Sequence, residues 1–175
     1  MDRMQSGLEQ LLLLARVESA QDFDKDGQVS AQNLARDALA DLIAVPGYQR
    51  IEVVNELTSE VAVAVPASLA VASLRNLLDN ALRYSPADSP VELYIAVENQ
   101  RLLLRVRDAG AGLSPADIEQ AKQRFWRTAS TPSGSGLGLA IVQAVTERYG
   151  GELRLQAAPS GGLDALLYFP LSLTF

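Results

Sequence analysis

The chain has 175 residues, within the ~100–200 typical of one domain, and a chain of that length can bury roughly 70% of its unfolded surface without a metal or disulfide to hold it. Fifteen basic against twenty-one acidic side chains leave a net charge of −6, the wrong sign for a protein whose main task is gripping phosphate backbones, so nucleic acid is not expected as a partner. The absence of cysteine removes thiol catalysis, Cys-ligated zinc and disulfides, and the absence of histidine removes Ser-His-Asp triads, His metal sites and a phosphohistidine of the chain's own. Chemistry must then rest on carboxylates, amides, hydroxyls, Lys/Arg, the backbone and whatever cofactor arrives.

In chain order, Met4, Leu8, Leu11, Leu12 and Ala15 recur at helical spacing and predict a short amphipathic helix over residues 4–18. Residues 18–30 turn polar, Asp-rich and Gly-containing, which marks a loop and the best candidate boundary. Within it Asp22, Asp24, Asp26, Gly27, Val29 and Ser30 match an EF-hand loop, but Asn33 stands where the bidentate glutamate belongs. The segment therefore reads first as an acidic, solvated connection, with weak Ca²⁺ binding as the sharper alternative. Leu34, Ala38, Leu42 and Ile43 give a helix that ends before Pro46-Gly47, with Ser30 as its N-cap.

Strands are predicted over residues 51–57 and 60–65, the second with Val61, Val63 and Val65 on one face. Residues 68–84 are helical in pattern and stop at Ser85-Pro86. Alternating apolar residues over 91–97 and 101–107, joined by Glu98-Asn99-Gln100, predict a hairpin. Ser114-Pro115 opens a short helix to about residue 124, a Ser/Thr/Gly/Pro-rich loop covers 128–136, and a helix follows over 137–149 until Gly150-Gly151. Residues 152–156 and 163–169 form a last hairpin around Pro159-Ser160-Gly161-Gly162. The longest mainly apolar run, residues 61–74, is too short for a bilayer, and the N-terminus lacks the layout of a signal peptide, so the chain as given is expected to be soluble.

Three pieces could carry chemistry. On the helix over 68–84, at about 100° per residue, Asn76, Asn80 and Arg83 share a narrow stripe with Ser73 and Tyr84 on its edges, while Leu74, Leu77, Leu78 and Ala81 fill the rest. Asparagines are mediocre helix formers, so the stripe is either a solvated face or a set of ligands: an Asn80 amide oxygen on Mg²⁺, whose other ligands are waters and substrate phosphates, and Arg83 facing the same phosphates. Asp108-Ala109-Gly110-Ala111-Gly112 ends a strand. It is either an ordinary turn or a carboxylate that accepts from adenine N6, with two glycines letting the backbone approach a flat base. Gly134-Ser135-Gly136-Leu137-Gly138-Leu139 enters a helix and offers backbone N–H groups to an anion, unless it is only a flexible hinge. No strand precedes it and no Lys-Ser/Thr follows, so it is neither a dinucleotide fingerprint nor a P-loop.

In this order, Asn76 to Tyr84, Asp108 to Leu113, Phe125-Trp126-Arg127 and Gly134 to Leu139 resemble the N, G1, F and G2 boxes of bacterial sensor histidine kinases, closest in wording to the membrane sensors of Gram-negative bacteria. The resemblance covers residue 30 or so to the end, and residues 4–18 look like the last part of the family's second dimerisation helix. It implies an α/β (α+β two-layer) sandwich of the Bergerat ATP-binding type, a mixed sheet on about three helices, with a lid over roughly 113–133. The implied layout is residues 1–18 from the dimerisation hairpin, 19–30 an acidic linker, and 31–175 the catalytic ATP-binding domain. Carried over by position, Asn80 binds Mg²⁺, Asn76 and Arg83 address phosphates, Tyr84 packs near the base, Asp108 reads adenine, and Gly110 and Gly112 shape the base pocket. Gly134, Ser135, Gly136, Leu137 and Gly138 present backbone to the phosphates, Arg127 reaches the γ-phosphate, and Phe125 and Trp126 anchor the lid.

Lys122 departs from the family, which places an aromatic there. The second departure is the nucleophile: the family's histidine lies on a helix this chain lacks, and the chain has no histidine at all. The expectation is a fragment that binds Mg-ATP and moves the γ-phosphoryl to a histidine supplied by its own missing dimerisation region or by a partner in trans, for relay to a response-regulator aspartate. The full-length protein is expected to be a homodimer held in the inner membrane through missing segments, with this domain in the cytoplasm. Related ATPases and anti-sigma serine kinases often carry a glutamate base one helical turn before the Mg²⁺ asparagine; Asn76 cannot act as a base, which favours transfer to histidine. A helix cut from its hairpin exposes an apolar seam, so weak self-association is also expected.

Overall fold

The computed structural model describes residues 3–19, 27–124, 126 and 136–173. Five strands form one mixed sheet in the order β2 (Ile51–Asn55), β4 (Val91–Glu98), β5 (Arg101–Arg107), β7 (Leu163–Pro170) and β6 (Glu152–Ala157); β2 runs parallel to β4 and every other neighbouring pair is antiparallel. The β4–β5 connection is a two-residue turn with Asn99 and Gln100 both left-handed (φ 50° and 61°), the turn whose twist suits a hairpin. Strand alternation sends Val91, Leu93 and Ile95, then Leu102, Leu104 and Val106, then Ala165, Leu167 and Phe169 to one buried face.

Helices α2 (Ala31–Ala40), α3 (Ala67–Tyr84) and α5 (Gly138–Tyr149) make the second layer, with α3 and α5 lying on the sheet and α2 against α3. The apolar side of α3, from Leu69 and Leu74 to Leu78 and Ala81, fills the space between layers, and Ile141, Val142 and Val145 do the same for α5. Ser30 Oγ accepts from Asn33 N at 3.1 Å, capping α2 as its position predicts, and Gly150 closes α5 in the left-handed conformation (φ 72°). The opposite face of the sheet is covered by its own side chains: Arg105 lies 4.5 Å from the Tyr94 ring and Arg101 4.4 Å from that of Tyr168, over the buried Leu103 and Leu166.

Three boundaries differ from the sequence pattern. The strand expected over 60–65 is reduced to β3 (Ala62–Val63), because its partner β1 (Val29–Ser30) is only two residues long before Ala31 enters α2, and Pro66 follows. The helix begun by Ser114-Pro115 ends at Gln120 as α4 (Pro115–Gln120), and the helix that carries Leu42 and Ile43 in pattern ends at Ala40. The first helix, α1 (Arg3–Ser19), is buried at its rear and exposed at its front. Leu14 and Val17 are each 1% exposed within the main core against α5, whereas Met4 is 80% exposed and Leu8 and Leu12 stand in solvent.

Candidate nucleotide site

The asparagine stripe of α3 faces the first turn of α5. A Cβ built on Gly138 would lie 3.3 Å from Asn76 Oδ1 and 3.6 Å from Asn80 Oδ1, so two amide oxygens from separate turns of α3 converge on the start of α5, where glycine leaves the closest approach open. Gly136 enters the helix with φ 74°, and Leu137, the buried N-cap residue, has no side-chain polar atom with which to cap the first-turn N–H groups. The N-terminal end of a helix, with its positive dipole, thus lies beside two hard oxygen atoms.

Asp108 ends β5 and is 8% exposed. Its Oδ1 accepts from Gly110 N at 2.8 Å and from Leu163 N at 3.3 Å. Burial pushes its pKa up, the two backbone bonds oppose that, and the nearby Asp164 adds to the rise. Asp164, in turn, accepts from the Arg107 guanidinium through bonds of 2.6 and 2.8 Å, and donating to this carboxylate holds the Arg107 pKa above its usual value.

The loop after Asp108 is wedged between two other segments. A Cβ on Gly110 would come within 2.5 Å of the Tyr84 carbonyl at the end of α3, and one on Gly112 (φ 71°) within 2.8 Å of the Gly161 carbonyl in the β6–β7 turn. Gly162 lies directly against the Asp108 carbonyl, and Asp108 N donates to Leu163 O at 3.1 Å. The sequence pattern marks residues 159–162 as a turn only. Their packing against Asp108 and Gly112 has no local signal, since it depends on β5 and β7 being neighbours.

The other expected residues fall into place unevenly. Arg83 is half-exposed and its Nε lies 3.0 Å from Asp79 Oδ2, an i,i+4 pair along its own helix. Tyr84 is 40% exposed beside Gly110. Lys122 takes the place of an aromatic by donating from Nζ to the Leu153 carbonyl of β6 at 2.6 Å, so a polar tie joins the end of α4 to the sheet. Trp126 packs on the core and donates from Nε1 to Gln120 Oε1 at 3.2 Å. Phe125, Arg127, Gly134, Ser135 and the aspartates of the EF-hand-like segment, Asp22, Asp24 and Asp26, lie outside the described residues. α1 reaches the asparagine stripe from outside: Gln10 Nε2 donates to Asn76 Oδ1 at 3.5 Å, and Glu18 pairs with Arg124 after α4.

Among the described residues no three His, Cys, Asp or Glu side chains gather to cage a metal. The oxygen donors at Gly138 instead suit a hard cation that takes one or two protein ligands and completes its shell with phosphates and water.

A family model described as "Histidine kinase-, DNA gyrase B-, and HSP90-like ATPase" matches residues 68–173, from α3 past the end of β7. The sensor protein kinase PmrB of Pseudomonas aeruginosa is 34% identical over 173 residues, covering 97% of this chain and 36% of that protein. Sensor protein QseC of Escherichia coli is 32% identical over 166 residues, covering 94% of this chain and 36% of that protein. The chain therefore spans little more than a third of the curated relatives it matches. The solved structure of the mycobacterial sensor histidine kinase MprB superposes with a TM-score of 0.73 at 28% identity, over 82% of this chain and 97% of that one. Since the matched region contains the asparagine stripe, the Asp108 loop and the entry to α5, and covers more than half of the sequence, this chain belongs to the histidine kinase-, DNA gyrase B- and HSP90-like ATPases, with sensor histidine kinases as its relatives.

Proposed function

We propose that this chain is the Mg-ATP-binding catalytic part of a sensor histidine kinase and moves the γ-phosphoryl of ATP to a histidine outside this sequence, from which a response-regulator aspartate takes it. The observation that carries the reading is the convergence of Asn76 and Asn80 Oδ1 on Gly138, with Asp108 buried at the far end of α3 as the base-reading group. Asp108 Oδ2 accepts from the adenine amino group, where guanine presents an acceptor and is repelled. The first turn of α5 and its glycines present N–H groups to the phosphates.

Asn80 fits Mg²⁺ as an oxygen ligand, and the ion when bound neutralises charge on the phosphate oxygens. In the transfer the bond from the γ-phosphorus to the β,γ-bridging oxygen breaks, ADP keeps that electron pair, and a P–N bond forms to the incoming imidazole. Asn76 is an amide and cannot deprotonate water, which favours an acceptor nitrogen over hydrolysis. Arg83 and Arg127 serve the phosphates; Arg83 must exchange Asp79 for the nucleotide to do so.

The reading also assigns residues 1–18 to the second helix of a dimerisation hairpin, 19–30 to a linker and 31–175 to the ATP-binding domain, within a homodimer whose membrane segments lie elsewhere and which keeps this domain in the cytoplasm. Among the described residues no helix is long and apolar enough to cross a membrane.

The test is calorimetric titration of Mg-ADP into the wild type, Asn80→Asp and Asp108→Ala, with Mg-GDP as control. Saturable, adenine-selective binding that disappears in Asp108→Ala and changes its Mg²⁺ dependence in Asn80→Asp supports the site, and phosphoryl transfer to a supplied histidine hairpin then separates a kinase from a nucleotide-binding module without turnover. No wild-type binding at millimolar nucleotide refutes it.

A further inference from the structure

α3 ends without the left-handed glycine that commonly closes a helix: Ser85 stands at the C-cap in an extended conformation (φ −107°, ψ 157°) and Pro86 follows. The last carbonyls still require donors. Ser85 Oγ turns back to the Ala81 carbonyl at 2.5 Å, and the Leu82 carbonyl and the segment that follows the helix are served by Arg50, at the end of the 3-10 turn Tyr48–Arg50 before β2. Its Nη2 donates to the Leu82 carbonyl at 2.6 Å, and its Nη1 to Ser85 Oγ at 3.0 Å, the Pro86 carbonyl at 2.7 Å and the Ser89 carbonyl at 3.0 Å.

A cation at this end of a helix also meets the negative end of the dipole. Two features show how closely the guanidinium is enclosed there. Gly47 is left-handed (φ 88°), and a Cβ on it would lie 2.8 Å from Arg50 Nε. Arg50 Nε itself is buried without a hydrogen-bond partner.

The same turn of α3 carries the base pocket. Tyr84 immediately precedes Ser85, and its carbonyl is the atom that Gly110 approaches so closely that no Cβ would fit; Gly110 N in turn donates to Asp108 Oδ1. We propose that Arg50 is a positioning residue of the nucleotide site, fixing the last turn of α3 and thereby the separation between the Asn76/Asn80 stripe and Asp108. This rests on the nucleotide reading given above. A lysine keeps the charge but lacks the planar fork that spans several carbonyls, so Arg50→Lys is only a partial substitute.

The experiment compares wild type, Arg50→Lys and Arg50→Gln by Mg-ADP and Mg-GDP titration and by amide hydrogen exchange on nucleotide-free protein. The expected result is an Mg-ADP Kd raised roughly tenfold in Arg50→Gln and less in Arg50→Lys, with a narrowed ADP-over-GDP preference. Exchange should quicken at residues 82–90 and 108–113 while the amides of α5 keep their wild-type rates. Wild-type affinity and selectivity in Arg50→Gln would overturn the proposal. So would exchange quickened uniformly over α3, α5 and the sheet, which marks a residue that only stabilises the fold. If the wild type binds no nucleotide, the functional reading fails, and the exchange data still decide whether Arg50 holds the Asp108 loop.

Discussion

Replacing Arg107 with methionine isolates one buried charge. Arg107 and Asp164 are register partners across β5 and β7, and the Asp164 side chain is 1% exposed while that of Arg107 is 31% exposed. The fork between them, 2.6 Å at Nε and 2.8 Å at Nη2, is what compensates the carboxylate in that position. Removing one member of a buried pair costs about 3–5 kcal/mol, because the remaining charge can be neither wetted nor paired. The partial exposure of Arg107 places the effect near the lower end, about 3 kcal/mol, which for a domain of this size lowers Tm by about 6–12 °C. Urea and thermal unfolding followed by far-UV circular dichroism read both quantities. Arg107→Met/Asp164→Leu should recover most of the loss, since two apolar groups of similar volume remove the charge altogether. An Arg107→Met protein within about 0.5 kcal/mol of wild type at pH 7, the range of an ordinary surface change, would refute the argument.

Asp108→Asn should separate stability from binding. Because burial raises the Asp108 pKa in the fold, the native state holds its proton to higher pH than the unfolded chain does; this group therefore lowers stability as pH rises through the folded pKa. The substituted amide retains an acceptor for Gly110 and Leu163 without the buried charge, so unfolding measured across pH should show the variant more stable than wild type near neutrality, with the advantage shrinking toward acid. Its NH₂ group then faces the adenine amino group, and Mg-ADP binding should be lost in the same protein. Gly138→Ala should fold normally but lose at least about tenfold in Mg-ADP affinity, because its Cβ sits 3.3 and 3.6 Å from the two amide oxygens; unchanged calorimetry would count against their convergence as the phosphate end of the site. Lys122→Met removes the donor to the Leu153 carbonyl and should cost about 1 kcal/mol in urea unfolding, a loss that would be absent if the lysine were merely solvated.

The repetitive elements were legible because their signals are local. Alternation placed β4 and β5, the turn Pro159-Ser160-Gly161-Gly162 placed β6 and β7 around it, and the Ser85-Pro86 and Gly150-Gly151 steps placed the ends of α3 and α5 to within a residue. The Asn76/Asn80 stripe and the Asp108 loop each left a structural reading open, a solvated face and an ordinary turn, and the chemical reading came from their order along the chain with residues 134–139. What could not be read belongs to pairs distant in the chain. The shortness of β3 depends on β1, thirty-odd residues earlier, and Lys122 finds its acceptor on β6. Nothing in residues 163–170 marks Asp164 as a buried carboxylate; it is 1% exposed because Arg107 arrives from the neighbouring strand to pair with it. The arginine that closes α3 sits before β2, where nothing in the helix's own residues points to it.

The placement of α1 gives it the mechanics of a lever. Leu14 and Val17 fix its rear turn in the core, while the turns ahead of them project into solvent. At 1.5 Å of rise per residue, Met4 stands about 15 Å from that pivot and Gln10 about 6 Å. A tilt of roughly 10° that carries the front of the helix through nearly 3 Å thus displaces Gln10 by about 1 Å, enough to break its bond of 3.5 Å to Asn76 without disturbing the packed fulcrum. Coarse displacement at the exposed end is geared down to an ångström-scale change beside the asparagine that faces α5.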